Sequence, residues 1–279
     1  MLTTSQYLFY LNRQNVINDL VNENGKWREG NLGNLGITTA DYSKLAAVTL
    51  KDPRTIYVYY QGAGIDGGIH RVHGHEGAWR SDRNDYNDPP LFGTSLAAVL
   101  PGPGLVIHEG SSGNKVPVVF YQEAETHDLP LAELEDNGIP NPVVSKIKPA
   151  GLGASPHTPL AAVLDFDCYA FLFYTSDENE IRRVKVDTSN GKPIGSPLQV
   201  AETTPKGNIA AITFNPNTKT ETEKVYVYYQ PWYVNLVTQA VSNKTRNCLH
   251  ALCYDVSGSG DSKTWSNPQI LDVTPFKKD

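Results

Sequence analysis

The chain has 279 residues, a formal net charge of −6 at pH 7, and 39% hydrophobic against 19% charged residues. This acidic balance argues against a general nucleic-acid or anionic-membrane binder, since both need a concentrated positive field. The 15 tyrosines, 23 glycines and 19 prolines beside a single methionine favour many short strands and turns over long helices.

The sequence contains no apolar run near the roughly 18 residues that a membrane-spanning helix needs. Residues 1–6 also lack the basic and apolar regions of a signal peptide. We therefore expect a cytoplasmic protein with neither a membrane nor a nucleic-acid partner.

Cysteine and histidine spacing indicates neither a disulfide framework nor a metal site. The three cysteines cannot all pair; they are Cys168, Cys248 and Cys253. Three histidines are expected to share one face of a strand, but no carboxylate or cysteine partner is evident for them: His70, His73 and His75. We therefore expect no bound metal.

Two short patterns repeat along the chain. The first is small and apolar, and it occurs four times: Lys44–Val48, Ser95–Val99, Pro159–Val163 and Asn208–Ile212. The second alternates and ends in an aromatic pair, and it occurs five times: Tyr7–Tyr10, Ile56–Gln61, Val116–Gln122, Tyr169–Thr175 and Val225–Gln230. The last aromatic residues of these copies, at positions 10, 60, 121, 174 and 229, are spaced by 50, 61, 53 and 55 residues.

Two further segments complete each unit. A shorter alternating run follows each aromatic strand: Asn15–Val21, Gly68–Val72, Leu129–Leu134, Glu180–Val186 and Cys248–Tyr254. The fourth segment carries Trp27, Trp79 or Trp265 in three units, and Val143-Val144 or Leu198–Val200 in the other two. Four short strands repeated at roughly 40–50 residues are typical of a β-propeller blade. We predict an all-β, single-domain protein over residues 1–279, with five blades of four antiparallel strands (A to D, from the axis outwards).

The strand count predicts how the ring closes. The Ala-Ala pairs suit strand A, where the blades converge and space is least, and the aromatic segments suit strand B. Five B strands accompany only four A strands, so the missing A strand has to come from the other end of the chain. We therefore expect closure between the N- and C-terminal segments, with Asp272–Asp279 as the closing strand.

The Leu-Ala-Ala-Val strand, the Tyr-Tyr-Gln strand and the Gly-x-Trp of strand D resemble the fungal fucose-specific lectin superfamily of β-propellers. The resemblance implies pockets between blades, each with an arginine on strand B, a glutamate on strand C and an aromatic ring near strand D. Here the strand B position holds no basic residue: Tyr7, Tyr57, Val118, Phe171 and Tyr226. Glu133 alone matches the glutamate, and Arg71 or Arg183 stands there in other units. Because only the rings remain, we expect the tryptophans to pack blade edges.

The chain also resembles the lectin-like fungal hetero-Diels–Alderases of tropolonic sesquiterpenoid biosynthesis, which keep the scaffold without the repeated sugar sites. This resemblance implies a cofactor-free pericyclase that joins a reactive quinone methide to an alkene or sesquiterpene, and it is our leading hypothesis. The alternative is a carbohydrate-binding, fucose-type lectin with degenerate sites around the tryptophans. An interaction propeller without a small ligand is a third hypothesis.

Candidate site residues are those that interrupt the repeat on one face. The connection from Pro231 to Asn247 is unusually long, and long loops on rigid scaffolds are often functional. For the pericyclase, we predict His157 and Lys206 as catalytic hydrogen-bond donors to a developing oxyanion. The predicted walls of a pocket for small apolar substrates are Trp232, Tyr233, Tyr42, Phe92 and Arg246. A homodimer is left open.

Overall fold

A computed structural model describes residues 6–50, 55–63, 67–75, 77–82, 90–100, 117–124, 129, 131–133, 153–164, 169–187, 192–203, 207–214, 224–229, 249–255 and 269–271. Within these ranges the regular structure is β, apart from one short 3-10 helix at Leu32–Leu35. None of the helical structure in this part of the chain has the length and hydropathy to cross a membrane.

The described strands form five antiparallel sheets that follow one another along the chain. Sheet 1 contains β1 (Gln6–Leu11), β2 (Ile17–Glu23) and β3 (Lys26–Glu29); sheet 2 contains β4 (Ala46–Thr49), β5 (Thr55–Gln61), β6 (Ile69–His75) and β7 (Ala78–Asp82). Sheet 3 contains β8 (Ala97–Val99), β9 (Val118–Phe120) and β10 (Leu131–Glu133). Sheet 4 contains β11 (Leu160–Leu164), β12 (Tyr169–Thr175), β13 (Glu180–Asp187) and β14 (Lys192–Glu202); sheet 5 contains β15 (Ile209–Phe214), β16 (Lys224–Tyr229), β17 (Leu249–Asp255) and β18 (Gln269–Leu271).

Alternation along the aromatic strands builds the core between neighbouring sheets. On β5, Val58 and Tyr60 pack with residues of sheet 1, whereas Tyr57 and Tyr59 pack with residues of sheet 3. The aromatic strand of sheet 4 divides its side chains between sheets 3 and 5 in the same way. Because successive side chains of a strand point to opposite faces, a strand that is bulky at every position fits between two other sheets.

The small-residue strands lie next to one another from sheet to sheet. β4 contacts β8, β8 contacts β11, and β11 contacts β15. Each of these strands starts its sheet and pairs with the aromatic strand that follows it. The predicted all-β, antiparallel architecture is therefore confirmed, and the strands that carry the Ala-Ala pairs contact one another from sheet to sheet.

The outward faces of the first and last sheets remain partly exposed. Leu8 on sheet 1 is 52% exposed, and Ile212 on sheet 5 is 50% exposed. The segment Asp272–Asp279, which we predict to close the ring, lies outside the described residues, and the described sheets do not close on themselves. The count of five blades and the ring closure stay predictions.

Candidate functional site

Three of the predicted site residues lie in equivalent turns at one end of sheets 2, 3 and 4. Tyr42, Phe92 and His157 each stand just before the first strand of a sheet. The other four, Lys206, Trp232, Tyr233 and Arg246, lie outside the described residues, as does the loop from Pro231 to Asn247. The structure therefore places only the first three.

The three turns share one hydrogen-bonding scheme: Ala40–Ser43, Leu91–Thr94 and Ser155–Thr158. In each, the N–H of the fourth residue donates to the carbonyl of the first over 2.9–3.0 Å. The hydroxyl of that fourth residue then accepts the N–H of the residue at the end of the aromatic strand in the same sheet, over 2.7–2.9 Å. The sequences of the turns differ, yet all three keep these hydrogen bonds, and the third residue has a positive φ at Gly93 and His157 but not at Tyr42.

A buried glutamine links each of two turns to the preceding sheet. Gln61 of sheet 2 accepts the N–H of Gly93 at 3.0 Å and donates to the carbonyl of Leu91 at 3.2 Å. Gln122 of sheet 3 makes the equivalent bonds to His157 N–H, at 2.8 Å, and to Ser155 carbonyl, at 3.1 Å. The glutamine of the Tyr-Tyr-Gln pattern therefore joins neighbouring sheets through hydrogen bonds, a role that the sequence analysis missed.

The turn residues form a small aromatic surface. The ring centroids of Tyr42 and Phe92 lie 5.5 Å apart at an interplanar angle of 57°. Phe92 is 55% exposed, and the His157 side chain is exposed as well. Burial, followed by the nearby charge of Asp41, raises the pKa of the Tyr42 phenol. This phenol therefore stays a neutral hydrogen-bond donor at physiological pH.

The tryptophans divide into one buried and one exposed side chain, while Trp265 lies outside the described residues. Trp79 is buried between sheets 1 and 2, with its ring edge-on to Phe9 at 5.7 Å and to Tyr7 at 6.5 Å. The predicted packing role is confirmed for Trp79. Trp27 is 50% exposed, so it is not a packing residue in the same sense.

Cations and aromatic rings line the groove between sheets 4 and 5. The Arg183 guanidinium lies 4.6 Å from the centroid of the Phe171 ring, and the Lys185 ammonium lies 4.1 Å from that of Tyr169. These four side chains occupy the face of sheet 4 whose Phe171 and Phe173 pack with sheet 5. Arg183, Lys185 and Tyr169 are half-buried, so solvent reaches this part of the groove.

The groove between sheets 2 and 3 contains a sealed counterpart. The Arg71 guanidinium lies 5.0 Å from the centroid of the Tyr57 ring, but Arg71 is 0% exposed and Tyr57 is buried.

The strand pairings also correct the sequence alignment that placed Arg71 and Arg183 at the position of Glu133 on strand C. Glu133 pairs with Val118, and the equivalent pairs are His73 with Tyr57 and Lys185 with Phe171. His73 and Lys185, rather than Arg71 and Arg183, are level with Glu133.

The expected shared face of the three histidines is wrong. His70 stacks on Tyr60 at 5.5 Å, on one face of sheet 2, while His73 contacts Tyr57 at 5.8 Å on the other. Positions 70 and 73 differ by an odd number of residues, which in a strand means opposite faces. In the described part of the chain, no three His, Cys, Asp or Glu side chains gather as metal ligands would.

Comparison with known proteins gives a family match over most of the chain. The family model of the fungal fucose-specific lectins matches residues 4–245. The fucose-specific lectin of Aleuria aurantia is 30% identical over 114 residues, which make up 39% of this chain and 36% of that lectin. The matched segment thus spans little more than a third of that relative.

Several solved structures share the fold. AofleA from Arthrobotrys oligospora has a TM-score of 0.68 at 20% identity, and the superposition covers 97% of this chain and 70% of that one. The lectin of Aleuria aurantia, a six-bladed β-propeller, has a TM-score of 0.66 at 19% identity, with 96% and 74% covered. The SapL1 lectin, in complex with alpha methyl fucoside, has a TM-score of 0.66 at 18% identity, with 97% and 77% covered. These similarities establish the β-propeller fold.

Proposed function

Because the chain belongs to the fungal fucose-specific lectin family, we propose that it binds carbohydrate and that the groove between sheets 4 and 5 holds the sugar. The observation that carries the proposal is the pair of cations stacked on aromatic rings at the open part of this groove: Arg183 on Phe171 and Lys185 on Tyr169.

The predicted pericyclase activity is contradicted. The matched family and the structural neighbours named above are lectins, and none of these matches is to a cycloaddition enzyme. The prediction came from a resemblance to lectin-like enzymes that lack the repeated sugar sites, and irregular turn sequences then supplied its candidate residues. Those turns follow one hydrogen-bonding scheme, so their varied side chains do not indicate catalysis.

The groove supplies both kinds of contact that a sugar requires. A pyranose has an apolar face of C–H groups and an edge of hydroxyls that lose their water on binding, so it needs a ring to stack on and groups that replace that water. Tyr169 offers the ring face opposite the Lys185 ammonium, and Arg183 and Lys185 offer charged donors. Asp187 pairs with Tyr169 across the strands and follows Lys185 on the same face, where its carboxylate can accept hydrogen bonds from sugar hydroxyls.

The preferred sugar is one other than fucose. The resemblance implies an arginine on strand B, and that position holds Tyr57 in sheet 2 and Phe171 in sheet 4. The level of the strand C glutamate holds His73 and Lys185 in the same two sheets. In sheet 4, the change from an arginine and a glutamate to an aromatic ring and a lysine alters which sugar hydroxyls can be bound. We therefore expect no micromolar binding of fucose.

A glycan array followed by calorimetry on the best ligand tests this proposal. Lys185→Ala should weaken binding at least tenfold, which is about 1.4 kcal/mol, because it removes a donor from the stacking ring. Lys26→Ala, which changes an exposed lysine on sheet 1, is the matched control and should leave affinity unchanged. An array without any bound glycan would refute carbohydrate binding. Equal glycan affinities of Lys185→Ala and Lys26→Ala would mean that the sugar binds outside this groove.

We also propose the finer architecture of five blades that close between sheets 1 and 5 within one domain. The outward faces of these two sheets each present an exposed apolar residue, Leu8 and Ile212, which closure would bring together. Leu8→Asp should then cost about 3 kcal/mol of unfolding free energy, because a carboxylate would be buried. Leu35→Asp, at another exposed leucine, should cost less than about 0.5 kcal/mol.

Light scattering after gel filtration separates closure from association. A monomer that Leu8→Asp destabilises supports a closed ring, and a dimer that this substitution dissociates would mean that the two faces pair between copies. Equal stability of wild type and variant would contradict both arrangements. The homodimer and the cytoplasmic location stay predictions.

A further inference from the structure

The turns at the ends of sheets 2, 3 and 4 leave a notch between two side chains. Gly93 occupies the third position of its turn, as Tyr42 and His157 do in the turns on either side. A Cβ atom on Gly93 would lie 3.6 Å from the Tyr42 Cβ and 3.7 Å from the His157 Nδ1. The missing side chain therefore leaves a space between the Cβ of Tyr42 on one side and the imidazole of His157 on the other.

Phe92 forms a further wall of this notch. A Cβ atom on Gly67 would come within 2.6 Å of the Phe92 ring and 3.1 Å of the Tyr42 hydroxyl, so the ring packs directly on the Gly67 backbone. Contact with Tyr42 and Gly67 holds one side of the ring, and the remaining 55% of the residue faces solvent. This large exposed ring is thus fixed in place.

The walls are rigid before any ligand arrives. Gln61 and Gln122 hold the backbone N–H groups of Gly93 and His157, and the Ser43 and Thr94 hydroxyls fasten their turns to the aromatic strands. A ligand that binds preorganised groups loses little affinity to the ordering of the protein.

His157 stands in a conformation that a glycine would adopt more readily. Its φ is 59°, and Gly93 has a φ of 75° at the same position of the neighbouring turn. A side chain in the left-handed region is strained and is more frequent at functional sites than elsewhere. The imidazole is an exposed side chain that is kept despite this strain.

The geometry points to a second ligand site, the notch formed by Tyr42, Phe92, Gly93 and His157, which binds a neutral aromatic ring that carries a hydroxyl group. The exposed Phe92 ring stacks on the flat face of the ligand, and the His157 imidazole beside Gly93 bonds to the ligand hydroxyl. One such polar group is too few for the many hydroxyls of a sugar. The exposed carboxylate of Asp41 beside Tyr42 disfavours an anion.

Saturation-transfer NMR with 2-naphthol at pH 7 tests this site on the full chain. Wild type should bind with a dissociation constant in the millimolar range or tighter, as about ten non-hydrogen atoms permit. Phe92→Ala should weaken binding at least tenfold, because it removes a wall. Gly93→Asn should do the same, since asparagine tolerates the left-handed backbone and fills the notch. His157→Gly should weaken binding about threefold and leave the fold at least as stable.

Controls separate this site from surface adsorption and from the sugar groove. Leu8→Ala, at a 52% exposed residue on sheet 1, should bind 2-naphthol as wild type does. Lys185→Ala should also bind 2-naphthol normally, and Gly93→Asn should keep its glycan binding. Absence of saturation transfer in wild type would overturn the inference. Equal affinity of wild type, Phe92→Ala and Gly93→Asn, each with a cooperative thermal transition, would overturn it as well.

Discussion

Replacing Gln61 by methionine should reveal how much a single side chain contributes to holding sheets 2 and 3 together. The Gln61 amide accepts the Gly93 N–H at 3.0 Å and donates to the carbonyls of Gly67 and Leu91, each at 3.2 Å. Methionine has nearly the same length and volume but makes none of these bonds. Because Gln61 is 0% exposed, water does not replace them.

Three lost bonds at a net value near 1 kcal/mol each give a destabilisation of about 2–4 kcal/mol. For a protein of this size, the melting temperature should fall by about 5–12 °C. Urea denaturation followed by circular dichroism measures the free energy of unfolding. Gln199→Met, at an exposed position on β14, is the matched control and should change this free energy by less than about 0.5 kcal/mol.

Amide hydrogen exchange locates the effect. The Gly93 N–H should exchange at least tenfold faster in Gln61→Met, because its acceptor is gone, whereas the His157 N–H, held by Gln122, should keep its rate. If the free energy of unfolding of Gln61→Met lies within about 0.5 kcal/mol of the wild-type value, the Gln61 hydrogen bonds do not hold the two sheets together. The repeated Tyr-Tyr-Gln pattern then needs another explanation.

Two further predictions concern the interface of sheets 1 and 2. Gly74→Ala should destabilise the protein by about 1–3 kcal/mol, because its Cβ would overlap the Trp79 ring; urea denaturation should show this penalty shrinking in a Trp79→Leu background. Burial raises the pKa of the Asp19 carboxyl. The hydrogen bond that this carboxyl accepts from the Leu32 N–H and the charge of Arg28 lower the pKa by less, so the pKa stays raised. Wild type therefore loses stability as the pH rises from the unfolded pKa near ~3.9 through the raised folded value. The free-energy difference in favour of Asp19→Asn should be larger at pH 7 than at pH 4.5, and a difference independent of pH would contradict the raised pKa.

The sequence was sufficient for the strands because burial on two faces restricts every position of a strand. Tyr169–Thr175 and Ile56–Gln61 match β12 and β5 within one residue, and each run is bulky at nearly every position. The alternation of side chains also explains why the prediction of a shared face for His70 and His73 was wrong. These residues are three positions apart, and an odd spacing in a strand places side chains on opposite faces.

The functional side chains were harder to predict because their partners are remote in sequence. Gln61 and Gly93 are 32 residues apart, and Gln122 and His157 are 35 apart. No local pattern specifies such a bond; it depends on how one sheet is placed beside the next. The contact of Lys185 with Tyr169 similarly requires the register of β12 and β13, although the alternation of Arg183, Lys185 and Asp187 was visible in the sequence.

Departure from the repeat is informative only when the backbone is considered together with the side chain. Tyr42, Gly93 and His157 differ in every chemical respect, yet they occupy one turn position and obey one hydrogen-bonding scheme. The backbone hydrogen bonds hold all three turns, Gln61 and Gln122 hold two of them, and the third position of the turn accepts different side chains. A position with a fixed backbone and a variable side chain is where a propeller can acquire a ligand without losing stability. His157 has a positive φ, which is strained for a residue other than glycine. A side chain that is present despite such strain indicates a functional role.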